Sequence, residues 1–399
     1  MKRIPTLLLA ALILVTGALG ARASEAVMVP NLRYAQKPLP DLESFSFVRS
    51  LEVGWNLGNT FDAVNAAGLR DELDYESAWV GVKTDARVFA ALREAGFGVV
   101  RIPVSWHNHV SGPDFTISAP WLARVREVAD MALEAGLRVI LNTHHDIEKG
   151  FIYPDDAHLE DSRHYLTSVW RQVAAEFREY DDRLILESMN EPRLPGTPIE
   201  WWLDANDPRS AEAVKAINAL NQAFVDTVRA DGGHNASRYL LVPGYAASVQ
   251  GFLHPDFRMP TDIPGMEDRL IASVHAYTPY DFALQSPDEP GNRDAFSAEN
   301  PLNVNEIAVF MESVYQKSME LQTPVLIGEF GARDKRGNLQ ARVDFTAAYV
   351  ALARARGFTC LWWDNHAFQG NGELFGLLDR RTFAWRYPDI VRAMTDNAK

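Results

Sequence analysis

A chain of 399 residues, 47% hydrophobic and free of long charge runs, has enough apolar material to bury a large core as one domain or two. Its 39 basic residues against 53 acidic ones argue against nucleic acid or anionic membrane as a partner and favour a neutral or cationic substrate. The single cysteine, Cys360, excludes intrachain disulfides and Cys-rich zinc sites, and among strand formers it reads as a core thiol.

The chain opens MKRIPTLLLAALILVTGALGARASEA, with Lys2 and Arg3 before an apolar stretch that ends at Ala21-Arg22-Ala23, the small-x-small pattern of a signal-peptidase site. A signal peptide over residues 1–23, cleaved after Ala23, is expected rather than an uncleaved anchor, because no stop-transfer charges follow. Cleavage removes three basic groups and no acidic one, leaving 36 Lys+Arg, 53 Asp+Glu and a charge of −17. The implied location is periplasmic or secreted, and the mature protein is expected to be a monomer with no membrane partner.

Residues 24–45 are irregular and contain prolines, so they read as an N-terminal arm. From there, short Val/Ile/Leu-rich runs alternate with stretches of helical period. The runs are LEVGWNL (51–57), VVRIPVSW (99–106), RVILNTHH (138–145), RLILESMNE (183–191), RYLLVPGY (238–245), LIASVHAY (270–277), PVLIGEFG (324–331) and TCLWWDN (359–365). Between them lie amphipathic stretches such as TDARVFAALREAGF and RVDFTAAYVALARARG, several ending in the glycine of a helix C-cap, and YPDIVRAMTDN closes the chain. The segment after the fifth run is short and irregular, so one helix is reduced.

Eight strand-then-helix units predict a single-domain α/β fold over residues 46–399, a (β/α)8 TIM barrel. A doubly wound sheet would call for a Gly-rich phosphate loop after the first strand, and GWNLGNTF lacks the G-x-G-x-x-G spacing.

In such a barrel the active site lies at the C-terminal strand ends, and polar residues crowd there. They are Arg101, Asn142, His144, Glu187, Asn190, Glu191, His275, Tyr277, Glu329, Trp362, Trp363 and Asp364. Strands about 4.8 Å apart and tilted about 36° give a barrel near 15 Å across. Glu191 and Glu329, reaching inward from the fourth and seventh strands, would then leave about 5–6 Å between carboxyls. That is the spacing of a retaining glycosidase pair, shorter than the roughly 6.5–9.5 Å of an inverting one. Spacing alone does not divide the roles of nucleophile and acid. Glu187 would be costly inside the barrel unless paired, so it is expected either to meet Arg101 or to turn toward a polar contact on the helix side.

The blocks GWNLGNTFDA, VVRIPVSWHNH, VILNTHHD, ESMNEPR, VPGYAAS, SVHAYTPYDF, LIGEFGA, LWWDNH and FGLLDRR, in this order from about residue 50 to residue 395, resemble glycoside hydrolase family 5, in particular its broad endo-β-1,4-glucanase and xyloglucanase branch. The resemblance implies that Glu191 is the general acid/base and Glu329 the nucleophile of a retaining double displacement on β-glucans, with no cofactor and no metal. It further implies that Asn190 bonds the sugar 2-hydroxyl, that Arg101 and Tyr277 hold the nucleophile ionised, and that His144 and His275 line the subsite of the cleaved sugar. Trp362 and Trp363 point to opposite faces, so one is core and one is platform, and the family register favours Trp363 as the platform. Asn56, Trp106, His107, His109 and His145 are expected in further glucose subsites or as satisfied structural residues. Glu373 is expected to be a loop carboxylate without a catalytic role. Related enzymes place a tryptophan shortly after NTHHD, where this chain offers Phe151 and Tyr153.

Two other readings fit parts of the pattern. A metal hydrolase on the same barrel would draw on His107, His109, His144, His145 and Asp364, but no third strand supplies a bridging ligand. A non-catalytic carbohydrate-binding barrel would be expected to lack one of the two carboxylates, and both are present. Within the family, a mannan backbone is the alternative substrate.

Overall fold

The computed structural model describes residues 26–399, so the expected signal peptide and its cleavage point after Ala23 lie outside the described residues. Eight parallel strands close into a barrel in strict chain order. They are β1 (Gly54–Leu57), β2 (Val99–Ile102), β3 (Arg138–Asn142), β4 (Leu184–Glu187), β5 (Leu240–Ser248), β6 (Leu270–His275), β7 (Val325–Phe330) and β8 (Thr359–Asp364). Seven of the eight apolar runs in the sequence contain a whole strand, and β5 begins within the remaining one, RYLLVPGY, and continues past it to Ser248.

Apart from two four-residue helical turns at Tyr75–Ala78 and Tyr280–Ala283, the helices outside the barrel are α2 (Ala86–Ala95), α3 (Ala119–Glu134), α4 (Leu159–Glu176), α5 (Pro208–Asp231), α6 (Val249–Leu253), α7 (Pro301–Leu321), α8 (Leu339–Ala355) and α9 (Pro388–Asn397), with α1 (Glu43–Ser50) preceding the first strand. The reduced helix expected after the fifth strand is α6, five residues long. Capping follows the local sequence. The Asp85 carboxylate accepts the backbone N–H of Arg87 to start α2, and Gly96, at φ 100°, ends it in the left-handed conformation that glycine adopts without penalty.

Period-two alternation divides the barrel interior into two kinds of layer. Near the N-terminal mouth Val99, Ile140, Ile185, Leu241, Ile271, Leu326 and Leu361 form an apolar plug, to which Val48 of α1 and Leu51 add a floor. Gly54 makes room for that plug, because a Cβ there would lie 2.4 Å from Leu361 Cγ. Two residues further along the same strands the side chains become Asn56, Arg101, Asn142, Glu187 and Ser273, all buried. This polar layer is the base of the site.

The last strands lose regular pairing as they approach it. Register shifts fall between Pro243 and Ser248, between Val274 and His275, and between Cys360 and Trp362, and His275 pairs with Glu329 across the second shift. Bulges of this kind re-aim side chains at a barrel rim. On the outside, residues 28–38 run along the closing helices, exchanging bonds between Met28 and Gln340, between Leu32 and Asn397, and between Lys37 and Glu312. The thiol of Cys360 is buried in the core, and burial pushes its pKa up.

Candidate active site

The C-terminal rim opens into a cleft of about 570 Å³ lined by His144, His145, Asn190, Glu191, His275, Tyr277, Glu329 and Trp363, among others. An oxygen of Glu191, an oxygen of Glu329 and a nitrogen of His275 all lie within 4.8 Å of one another. The closed barrel therefore brings the two carboxylates to the short spacing that period and strand number imply.

Arg101 organises the base of this cluster. Its Nε donates to Glu187 at 2.6 Å, Nη1 to Glu329 at 2.8 Å and to Asn56 at 3.1 Å, and Nη2 to Asn190 at 2.7 Å. Glu187 thus faces inward to Arg101, and its other oxygen accepts from Ser273 at 2.6 Å. Four partners on three other strands or their ends use the planar, forked geometry of a guanidinium, which an ammonium lacks. Glu329 accepts a second bond from the Tyr277 hydroxyl at 2.9 Å. Burial, with the charges of Glu329 and Glu191, raises the Tyr277 phenol well above its ordinary range, so it remains a donor.

Glu191 lies opposite, with His275 Nδ1 at 2.9 Å from Oε1 and Arg193 Nη1 at 3.9 Å from Oε2. Burial opposes charge on every member of the cluster. For His275 the charge of Glu329 and the bond to Glu191 overcome it and raise the imidazole pKa, while for Glu191 the bond from His275 overcomes it and lowers the carboxyl. Burial dominates at Glu329 and holds its carboxyl above the ordinary value of 4.5, against the opposing charges of His275 and Arg101. Gly328 makes His275's position possible, because a Cβ there would lie 2.8 Å from its Nε2.

The two tryptophans divide as the alternation requires. Trp362 is fully buried and donates to the Phe375 carbonyl, whereas Trp363 lines the cleft with its ring parallel to that of His144, 5.7 Å away at 3°. His144 is buried, which, with the charges of His145 and Arg101, drives its pKa well below 6.5, and burial lowers His145 to about 4. Both rings are neutral at pH 7.

Other expected subsite residues do not reach the cleft. Asn56 is completely buried, with its amide donating to the Gly328 and Trp362 carbonyls while its oxygen receives Arg101. Trp106 is also fully buried, and its Nε1 donates to the Asn142 carbonyl. His107 turns to Asp146 at 2.9 Å, and His109 turns to Glu72 at 2.8 Å and stacks on Trp121. These are structural residues, and the two histidines are satisfied only through Nδ1, since Nε2 of each is buried without a hydrogen-bond partner. Phe151 packs against His107 and Tyr165, and Tyr153 is buried, so neither supplies the aromatic surface expected after NTHHD.

The five residues of the metal-hydrolase reading are not gathered at one point. Asp364 accepts the Trp55 indole and the backbone N–H groups of Leu377 and Leu378, and the carboxylate near His144 and His145 is instead Asp62. Asp62 is already engaged by the backbone N–H groups of Asn59 and Thr60.

The sequence reading passed over Arg193, Trp201, Trp202 and Tyr280, all at or near the cleft. The only signal for them was an aromatic pair in a segment without regular period. Glu373 also lines the cleft, where burial and the nearby carboxylates raise its pKa.

Comparison with known proteins agrees with this geometry. Residues 59–369 match the model of Cellulase (glycosyl hydrolase family 5). The chain is 35% identical over 361 residues to Endoglucanase A of Ruminococcus albus, covering 90% of this chain and 94% of that one. It is 36% identical over 362 residues to Endoglucanase B of Neocallimastix patriciarum, covering 90% and 72%. Among solved structures, a family 5 lichenase from Caldicellulosiruptor sp. F32 superimposes with a TM-score of 0.92 at 52% identity, covering 94% of this chain and all (100%) of that one. A xyloglucan-specific endo-β-1,4-glucanase from a metagenomic library, in complex with cellotriose, gives 0.80 at 34% identity, covering 88% and 98%. With the match spanning most of the barrel and the paired carboxylates in place, the chain belongs to glycosyl hydrolase family 5.

Proposed function

We propose that this enzyme is a retaining endo-β-1,4-glucanase that cleaves soluble or amorphous β-glucans, with Glu329 as nucleophile and Glu191 as acid/base. The observation that carries the reading is the pairing of the two carboxylates within 4.8 Å, only one of which, Glu329, receives both a guanidinium and a phenol. Glu329 attacks the anomeric carbon as Glu191 protonates the departing glycosidic oxygen, giving a glycosyl ester. Glu191 then takes a proton from water as that water displaces Glu329 and releases the sugar with its anomeric configuration kept.

The residues around the pair support those roles. Arg101 holds the Asn190 oxygen, which turns the amide nitrogen toward the cleft as a donor for the sugar 2-hydroxyl. Trp363 offers an aromatic face to the apolar face of the same sugar, beside neutral His144. With the Glu191 carboxyl lowered and the His275 imidazole raised, the proton that Glu191 must deliver rests on His275 across their 2.9 Å contact and passes to Glu191 for the reaction.

Relatives named lichenase, xyloglucan-specific endoglucanase and broad-specificity endoglucanase support a range that includes mixed-linkage glucan and xyloglucan as well as cellulose derivatives. We further propose that residues 1–23 direct export and that the mature enzyme acts as a monomer in the periplasm or outside the cell. The basis is the signal layout and an acidic surface suited to neutral polymer.

The test is reducing-end release by purified enzyme in EDTA on mixed-linkage glucan, xyloglucan, carboxymethylcellulose and mannan. Release from the glucans, with retention seen by NMR of the first products, is expected. Release from mannan alone, or activity lost to the chelator, would overturn the reading. A pH profile probes the same cluster. Protonation of Glu329 as pH falls removes the nucleophile, so the acid limb of kcat/KM should lie above 4.5. Loss of the proton shared by Glu191 and His275 as pH rises should place the alkaline limb above 6.5.

A further inference from the structure

Two charged side chains of the cleft wall, Arg333 and Glu373, have no part in the chemistry above. Arg333, just past β7, is only 6% exposed, yet it lines the cleft. Its Nη1 donates to the Leu284 carbonyl at 3.0 Å, its Nη2 to the Gly372 carbonyl at 2.7 Å, and its backbone N–H to the Ala283 carbonyl at 3.0 Å. Its Nε is buried without a hydrogen-bond partner, and it forms no ion pair with any described residue. Leu284 belongs to the segment after β6 and Gly372 to the segment after β8. One forked guanidinium therefore clasps two walls of the cleft, and its positive charge is left without a bonded carboxylate.

Glu373 follows Gly372 directly, so the clasp fixes where it stands. Its main chain is held further by Asn365 Nδ2, which donates to the Glu373 carbonyl at 2.7 Å, and by the Asp334 N–H, which donates to the Leu374 carbonyl at 2.9 Å. The side chain is free by contrast. It is exposed at the cleft, and its carboxylate accepts no hydrogen bond from any described residue.

A third carboxylate near a reacting pair of carboxylates is unfavourable, because like charges and burial both oppose its ionisation. Glu373 feels Glu329 and Glu191 in that way, and Arg333 is the charge that offsets them. The clasp thus supports the ionised form without occupying its oxygens, which remain open to a bound sugar. Phe375 of the same segment packs against Tyr277 with centroids 5.6 Å apart, and Tyr277 donates to Glu329. The segment therefore borders the nucleophile, next to the strand that carries Trp363.

We infer that Glu373 is a substrate-binding carboxylate that accepts a hydroxyl of the glucosyl unit lying over Trp363, and that Arg333 is the positioning residue that holds it there by clasping the segments after β6 and β8. This inference rests on the glucanase reading above. An ionised carboxylate is a strong acceptor for a sugar hydroxyl. The 2-hydroxyl of that unit is assigned to Asn190, so Glu373 takes one on another edge of the ring.

The experiment is a double-mutant cycle on cellopentaose, with thermal unfolding of each protein. Glu373→Ala should lower kcat/KM roughly tenfold with its melting temperature unchanged, and Glu373→Gln, which keeps an acceptor oxygen, should recover most of the loss. Arg333→Met should lower kcat/KM severalfold when Glu373 is present, and should add nothing to the loss in a double variant carrying Glu373→Ala, because its effect passes through that side chain. Should Arg333→Met fail to fold, Arg333→Gln, which keeps one donor group, serves in the same cycle. A Glu373→Ala enzyme with the kcat/KM of wild type, or a Glu373→Gln enzyme no better than Glu373→Ala, would overturn the contact. Additive losses in the double variant would overturn the clasp. Each of these outcomes leaves the glucanase reading standing, whereas failure of the wild type to cleave any β-glucan would overturn both.

Discussion

Replacing Glu329 by Gln is expected to abolish turnover on polymer and aryl glycoside alike, by at least about 10⁴-fold in kcat. The amide keeps the shape of the carboxylate and can still meet Tyr277 and Arg101, but it cannot form the glycosyl ester. The loss therefore reports chemistry rather than folding. Glu191→Ala should behave differently. Turnover of polymer should collapse because a sugar alkoxide needs a proton to leave, whereas the first step on a dinitrophenyl cellobioside should survive because that leaving group needs little help. Steady-state and burst kinetics on the two substrates separate the roles. Equal loss for Glu191→Ala on both substrates would refute the assignment, and so would a Glu329→Gln enzyme that still hydrolyses β-glucan.

The second large effect is predicted for Arg101→Ala. The guanidinium lies in a fully buried position between Glu187 and Glu329, at 2.6 and 2.8 Å. Taking it away leaves two carboxylates facing each other's field without a cation. Removing one partner of a buried ion pair costs about 3–5 kcal/mol, a large part of the roughly 5–15 kcal/mol that holds a domain folded. The variant should melt at markedly lower temperature and lose activity with it. Glu187→Gln combined with Arg101→Met should recover stability without recovering turnover, because it removes the stranded charge of Glu187 while leaving Glu329 unsupported. Thermal unfolding and kcat measured on all three proteins check this, and an Arg101→Ala enzyme as stable as wild type would show that the network contributes little to the fold.

The architecture was legible because each barrel strand lies in a short, mostly apolar run and most helices are longer amphipathic stretches, so length and period separate the two. Glu187 could be paired with Arg101 because a buried carboxylate needs a cation and only one lay on a neighbouring inward face. The subsite residues were harder to read. Asn56 points inward below the cleft and Trp106 lies four residues past β2, but their side-chain N–H groups are taken by backbone carbonyls, and the sequence does not say which polar atoms the backbone will occupy. His107 and His109 looked like a ligand pair, yet their partners, Asp146 and Glu72, lie 39 and 37 residues away in the chain. Trp201, Trp202 and Tyr280 went unread for the opposite reason. They are on loops without a repeating pattern, and only the folded rim brings them to one wall.

The reach of Arg101 has a further consequence. Its partners come from β1, the end of β4 and β7, so the catalytic base exists only when strands from both halves of the chain stand in one ring. A half-assembled barrel would hold neither a supported nucleophile nor an oriented Asn190. Hydrolysis of glucan is thus a signal that the circle has closed, and a folding intermediate, however compact, is silent.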